Sequence, residues 1–220
     1  MDVSCEWHGS VAVLTWDDGE NRINVDSLAR INELLDELER TDGELALVLT
    51  GVGKFFSNGL DLARFGDNAV EFTATLAELK RTIGRLMLFP AYTVAALNGH
   101  VFAGGALMSC GFDYRVMRED RGYWCMNEAE IGLALDEQLW AIIRHRLPKA
   151  TAIVAATTAR RFAGPDALAA GIVEATAIED HVVPHALEVA GRYATLHRAT
   201  LAHHKRLAHG ETAALLGFSS

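Results

Sequence analysis

Apolar and polar positions alternate along this chain in two rhythms. Residues 11–16 (VAVLTW) form an apolar run of strand length, followed by a polar loop over residues 17–24. Leu28, Ile31, Leu34, Leu35 and Leu38 then recur at helical spacing, which places them on one stripe of an amphipathic helix. That helix is expected to begin near Asp26, whose carboxylate suits a cap. Residues 45–51 (LALVLTG) are apolar almost without interruption, as suits a strand covered on both faces of a largely parallel sheet. A second helix is predicted over residues 69–88, with Phe72, Leu76, Leu79, Ile83 and Leu86 on its buried side and Pro90 as its stop. Residues 92–97 predict another buried strand, 103–111 a helix rich in small residues, and 114–117 a short strand. Helices follow over 135–147, 151–161 and 165–170, an extended piece begins at Gly171, and the chain is helical from roughly Pro184 onward. Strands and helices therefore alternate through the first two-thirds, and helices dominate the rest, an α/β pattern. No repeat or low-complexity segment interrupts it, and Gly164-Pro165 signals a turn.

Composition narrows the function more than the fold. With 220 residues, 50% of them hydrophobic, the chain has enough material for one large core. A net charge of −9 argues against nucleic acid as the main partner. Three cysteines without a C-x-x-C pair suggest neither a disulfide framework nor a zinc site. The first residues, MDVSCEWHGS, do not read as a signal peptide, and no apolar run is long enough to span a membrane, so a cytoplasmic location is expected. Of the nine histidines, His181 and His185 are four apart, but Pro184 between them is expected to break the helix a shared ligand would need. The adjacent His203 and His204 cannot face one ligand from a helix, so no metal site is expected.

Three stretches carry candidate chemistry. In SNGLDL, Gly59 permits a strained backbone and close approach of a ligand, and the following N–H, that of Leu60, is placed to face a cleft. The plainer reading is an ordinary turn after a strand. Ala103-Gly104-Gly105-Ala106 opens a helix, whose first N–H groups have no intrahelical partner and suit a carbonyl oxygen gaining negative charge. The plainer reading there is tight helix packing. Glu128 is a carboxylate among Tyr123, Trp124, Cys125 and Met126 on one side and Ile131, Leu133 and Leu135 on the other. Burial in such surroundings raises a carboxyl pKa and suits it to proton exchange near neutrality.

Taken together, these stretches resemble the enoyl-CoA hydratase/isomerase, or crotonase, family. FFSNGLDL is similar to that family's F-[SC]-A-G-x-D-[LI] segment, ALNGHVFAGGALMSCGFDYRVM to its A-[IV]-N-G-x-x-x-G-G-G-x-x-[LM]-x-x-x-C-D segment, and FAGPDALAAGIVEAT to a third stretch. The resemblance implies a ClpP-like α/β fold, a spiral of ββα units over residues 1–176. A helical C-terminal region over 177–220, shorter than is usual in the family, would follow and build homotrimers or hexamers. It also implies an oxyanion hole from the backbone N–H groups of Leu60 and Gly104. Arg22, Asn58, Gly59, Asp61 and Leu107 would surround an acyl-CoA thioester, and coenzyme A would arrive as part of the substrate rather than as a cofactor. Lys54, Arg64, Lys205 and Arg206 are further candidates for the CoA phosphates.

The acids separate the subgroups. Hydratases of this family use two glutamates. The position of the first holds Leu107 here, and Glu128 occupies that of the second. DYRVMREDRGYWCMNEAEIGLAL also resembles the mitochondrial type of Δ3,Δ2-enoyl-CoA isomerase, which works with that one glutamate. The resemblance therefore implies an isomerase with Glu128 as the single acid/base. Hydration or other acyl-CoA chemistry on the same scaffold, and a non-catalytic acyl-CoA binder, are the alternatives. Product analysis with a trans-3-enoyl-CoA separates the three.

Overall fold

The computed structural model describes residues 3–219. Its frame is a six-stranded sheet made of β1 (Val3–His8), β2 (Val11–Trp16), β3 (Ala46–Gly51), β5 (Tyr92–Leu97), β7 (Tyr114–Arg118) and β9 (Ala175–Ala177), in that spatial order. Only β1 and β2 are antiparallel; every later strand joins its neighbour in parallel. The hairpin strand β1 is mostly exposed, and its mixed sequence VSCEWH gave no period to read. All six residues of β3 are buried, as its unbroken apolar run requires of a strand covered on both faces.

A second, smaller sheet is built from β4 (Phe55–Ser57), β6 (His100–Phe102) and β8 (Trp124–Cys125), all parallel. Each of these short strands follows a strand of the large sheet, β3, β5 or β7, and each is followed by helix. Three successive ββα turns result, the spiral of the crotonase fold. The SNG segment is thus the end of a sheet strand and its exit, not only a turn.

Helix α1 (Val25–Glu39) buries the leucine and isoleucine stripe identified by spacing. Fully burying such a side chain is worth roughly 1.5–3 kcal/mol, so the stripe alone anchors the helix. Its cap is Asn24 rather than Asp26: the Asn24 side chain accepts from the Asp26 and Ser27 amides at 3.1 and 3.0 Å, while Ser27 Oγ accepts from the Asn24 N–H. Asp26 is instead an acid of the first turn. Helix α3 (Ala69–Leu88) has the bounds its pattern predicts. After α6 (Glu137–Arg146), α7 (Lys149–Thr158) and α8 (Gly164–Ala169), the chain enters the edge strand β9.

The C-terminal region is a pair of helices, α9 (Glu179–Tyr193) and α10 (Arg198–Leu215). Helix α9 starts before Pro184 and runs through it, so the expected break is absent and His181 and His185 stand one turn apart. His185 Nε2 lies 3.1 Å from the Tyr114 hydroxyl, a structural contact. The division expected at 176/177 falls inside β9. Helix α9 covers the outer face of the large sheet, with Val182, Ala186, Val189 and Ala190 against Val13, Val48, Val94 and Val116, so the two parts share one core. Helix α10 folds back on α3 and α6. Among the described residues no helix is long and apolar enough to cross a membrane.

Candidate active site

Two loops bring two backbone amides together at the junction of the sheets. Ile23 forms an isolated parallel bridge with Leu60: the Ile23 N–H donates to the Gly59 carbonyl at 2.8 Å and the Asp61 N–H to the Ile23 carbonyl at 2.9 Å. Such a bridge engages the groups on either side of Leu60 and turns its own N–H to the opposite side. There lies Gly104, the first residue of α4 (Gly104–Ser109). A Cβ added to Gly104 would stand 3.6 Å from the Leu60 nitrogen and 3.1 Å from Ile23 Cδ1. Among the described residues neither the Leu60 nor the Gly104 N–H has a hydrogen-bond acceptor in the protein. Gly59 has φ +77°, and a Cβ on it would meet Ala103 Cβ and the Phe102 carbonyl at 3.0 Å. Only glycine allows both that conformation and that approach.

Ala103 makes the reversal between β6 and α4 at φ +47°, ψ −116°. This conformation is glycine's by preference, and an alanine held in it is strained by of order 1–3 kcal/mol. Its own N–H donates to Cys125 at 2.9 Å and its carbonyl accepts from Leu107 at 3.0 Å. Both flanks of the reversal are therefore fixed, which leaves the next amide free.

Glu128 enters from the third ββα turn. It begins the short helix α5 (Glu128–Ile131), directly after the chain leaves β8, and is 7% exposed. One carboxylate oxygen, Oε2, is buried with no hydrogen-bond partner. Burial pushes its pKa up, only partly offset by its own backbone N–H. The same helix start holds Asn127, which does not cap it: its backbone lies at φ −94°, ψ 14°, its side chain makes no capping bond, and its Oδ1 is buried and unpaired. An asparagine at a helix start ordinarily takes extended backbone and caps, so sequence alone gives no sign that this one faces a cavity.

Glu128, Asn127 and both amides line one cavity of ≈ 300 Å³. Its other walls are apolar, from Leu76 and Leu79 of α3 to Leu107, Leu135 and Leu139. Glu128 is the sole acid in that lining and Arg22 the sole base. Leu107, 2% exposed, adds an apolar side chain to that lining. Phe72 and Leu76 were expected on a buried helix face; both are only partly buried because that end of the stripe meets the void.

The remaining predicted residues divide between the cavity lining and its surroundings. Arg22 and Asn58 line the cavity and share Glu20, Arg22 by an ion pair at 2.5 Å and Asn58 Nδ2 by a hydrogen bond at 3.1 Å. Gly59 and Asp61 lie beside the cavity without lining it. Asp61 caps α2 (Leu62–Phe65) through the Arg64 N–H at 3.3 Å. Arg64 pairs with Asp26 at 2.6 Å and Glu71 at 2.7 Å. Lys205 does not suit a phosphate either: it is buried and held by Asp113 at 2.7 Å.

An apolar cavity with paired free amides and one buried acid is suited to an apolar carbonyl compound that passes through an enolate. Comparison with known proteins agrees. The family model described as enoyl-CoA hydratase/isomerase matches residues 6–215. An Arabidopsis thaliana protein named enoyl-CoA delta isomerase 2, peroxisomal, is 34% identical over 79% of this chain and 76% of its own length. An enoyl CoA isomerase structure from Mycobacterium tuberculosis superposes with a TM-score of 0.91 at 29% identity, covering 98% of this chain and 94% of that one. The human mitochondrial delta3-delta2-enoyl-CoA isomerase shares the fold, with a TM-score of 0.90 at 24% identity over 98% of this chain and 86% of that one. The chain whose cavity gathers Leu60, Gly104 and Glu128 belongs to the enoyl-CoA hydratase/isomerase family.

Proposed function

We propose that this protein is an isomerase that moves the double bond of a 3-enoyl-CoA to the 2-position. The observation that carries the reading is the single acid: Glu128 faces a cavity lined by Leu107 and other apolar side chains, with no second carboxylate in the lining. Hydration divides water activation and carbon protonation between two acids, whereas a double-bond shift needs one group that moves one proton. The Glu128 carboxylate takes a proton from C2, and the C–H electron pair passes into the thioester, giving a dienolate. The Leu60 and Gly104 amides stabilise its oxygen; one such donor is worth about 3–4 kcal/mol of barrier in other enzymes. Glu128 then returns the proton to C4, leaving a double bond between C2 and C3. The apolar walls support this sequence by keeping water from the dienolate. The names of the relatives at about 34% identity, enoyl-CoA delta isomerases, lend it further support.

Incubation with trans-3-hexenoyl-CoA is expected to yield trans-2-hexenoyl-CoA, read by chromatography and mass spectrometry, with slow addition of water to crotonyl-CoA. Efficient hydration of crotonyl-CoA with no shift of the 3-enoyl bond would overturn the isomerase reading. Binding of both thioesters without turnover of either would make the protein an acyl-CoA binder.

A further inference from the structure

The wall of the cavity that follows Glu128 is fixed at its two ends. Leu133, Ala134 and Leu135, in the connection between α5 and α6, line the cavity one after another. At the Glu128 end, the Gly132 and Leu133 N–H groups donate to the Glu128 carbonyl, the second at 3.0 Å. Beyond that point the backbone has little support of its own. Among the described residues the N–H groups of Ala134, Leu135 and Asp136 have no acceptor in the protein. The far end is fixed by the Asp136 side chain. Its Oδ1 accepts from the Leu139 N–H at 2.9 Å and caps α6, and its Oδ2 accepts from Lys80 Nζ.

Lys80, on α3, is 7% exposed and does not line the cavity. It stands behind it. Its chain neighbour Leu79 lines the cavity, and Leu76, one turn earlier, lines both the cavity and a groove of ≈ 460 Å³ to which Lys80, Asp136 and Gln138 belong. Lys80 Nζ also donates to Gln138 Oε1 at 2.7 Å, and Gln138 Nε2 donates to the Leu215 carbonyl at the end of α10 at 2.6 Å. One buried ammonium thus joins α3 to the start of α6 and, through Gln138, to α10. An exposed ion pair fixes little geometry. Lys80 is buried, and without Asp136 its charge would lie in the protein with only Gln138 as acceptor.

We infer, on the acyl-CoA reading of the cavity, that Lys80 is a positioning residue: through Asp136 it holds the wall at residues 133–135 against the reacting centre and keeps water from the Glu128 carboxylate. Burial is what raises the Glu128 pKa, so a loosened wall that admits water should lower it. The other ionisable groups near Glu128 are Arg22 in the lining, Cys125 on β8, and Glu130 of its own helix, paired with Arg161. None of these changes in the test.

Difference infrared spectroscopy follows the Glu128 carboxyl through a pH titration without substrate, with Glu128→Gln as the blank. Two variants open the Lys80–Asp136 pair with opposite changes of charge. Lys80→Met removes a cation, which by its field alone would raise a carboxyl pKa. Asp136→Asn removes an anion, which by its field alone would lower it, and the asparagine still caps α6. The Glu128 titration should move down in both variants, toward the ordinary carboxylate range. Loss of wall contact with about two acyl methylenes, each worth about fourfold, should also weaken hexanoyl-CoA binding about tenfold by calorimetry. Shifts in opposite directions, no shift, or unchanged affinity in both variants overturns the proposal, whatever happens to Tm. If Lys80→Met does not fold, Asp136→Asn decides: a tenfold loss of affinity sustains the proposal and an unchanged affinity overturns it. A wild type that binds no hexanoyl-CoA removes the acyl-CoA reading instead, and the two titrations still decide the role of Lys80.

Discussion

Two buried charges in this molecule are treated in opposite ways. Lys205, on α10, donates to Asp113 at 2.7 Å and to the Ala91 carbonyl at 3.2 Å, and Asp113 is further held by the Thr93 amide at 2.8 Å and hydroxyl at 2.9 Å. Burial lowers the Lys205 pKa, and Asp113 opposes that shift. Glu128 is nearly as buried, yet its Oε2 has no partner, and burial raises its pKa with little against it. A charge that locks a helix to a sheet is surrounded by partners. On the proposed reading, Glu128 is left without partners because its carboxylate is to exchange protons with the substrate. Among the described residues with a buried unpaired polar atom, Asn127 and Glu128 are the two that line the cavity.

The largest expected effect removes the second kind of charge. Glu128→Gln should lower kcat for 3-hexenoyl-CoA by about 10²–10⁴-fold while hexanoyl-CoA still binds, measured by steady-state kinetics and calorimetry. In the wild type kcat/KM should rise with pH through a value above the ordinary carboxylate range, because only ionised Glu128 accepts the C2 proton. A wild-type profile flat down to pH 4 would remove Glu128 from the proton transfer.

Lys205→Met breaks the other kind. It leaves Asp113 buried without its cation, and loss of one member of a buried pair costs about 3 kcal/mol or more. In a chain of this size that lowers Tm by roughly 6–12 °C. Activity per folded molecule should be unchanged below the melt. A loss of kcat without a loss of Tm would reverse the assignment of this lysine.

The pH dependence of stability sharpens the contrast. The folded state raises the Glu128 pKa above its unfolded value. The protonated group is therefore favoured in the folded state, and its contribution is complete below the unfolded pKa. That contribution is lost as pH rises through the folded pKa. Glu128→Gln lacks this loss, so its Tm should gain on the wild type between acid and neutral pH. A constant difference between the two across that range would show that Glu128 is not strained by its charge. The smallest effect expected is at Ala103, whose φ of +47° glycine adopts freely. Ala103→Gly should stabilise the fold by about 1 kcal/mol with kcat nearly unchanged, read from denaturant melts.

The sequence made the repeating elements plain and the site partly so. Long periodic segments such as α1 and α3 declare themselves because many residues report the same face. The strands β6 and β8 have three and two residues, too few for a period, and their pairing is fixed by their neighbours in space. Periodicity also names a face without saying what it meets: Phe72 and Leu76 continue the stripe of α3, yet the stripe runs past the core into the cavity. The glycines pointed to Leu60 and Gly104 because backbone close to backbone leaves a mark in sequence. Lys205 left none, since a buried lysine and a solvated one look alike without Asp113 beside them. The cap expected at Asp26 falls instead to Asn24, because the Ser27 hydroxyl accepts from the Asn24 N–H and closes a reciprocal pair.

The position of α9 bears on how this chain comes to be folded. The large sheet grows strictly in chain order, each new strand adding to the edge left by the last. The valines on its outer face have no cover until α9 is made, after every strand. A growing chain released from synthesis before Glu179 would carry a nearly finished sheet with one wet apolar face. Such a surface associates with its own copies faster than it finds water tolerable. The last fifth of the chain thus supplies the cover for a face that the first four-fifths build.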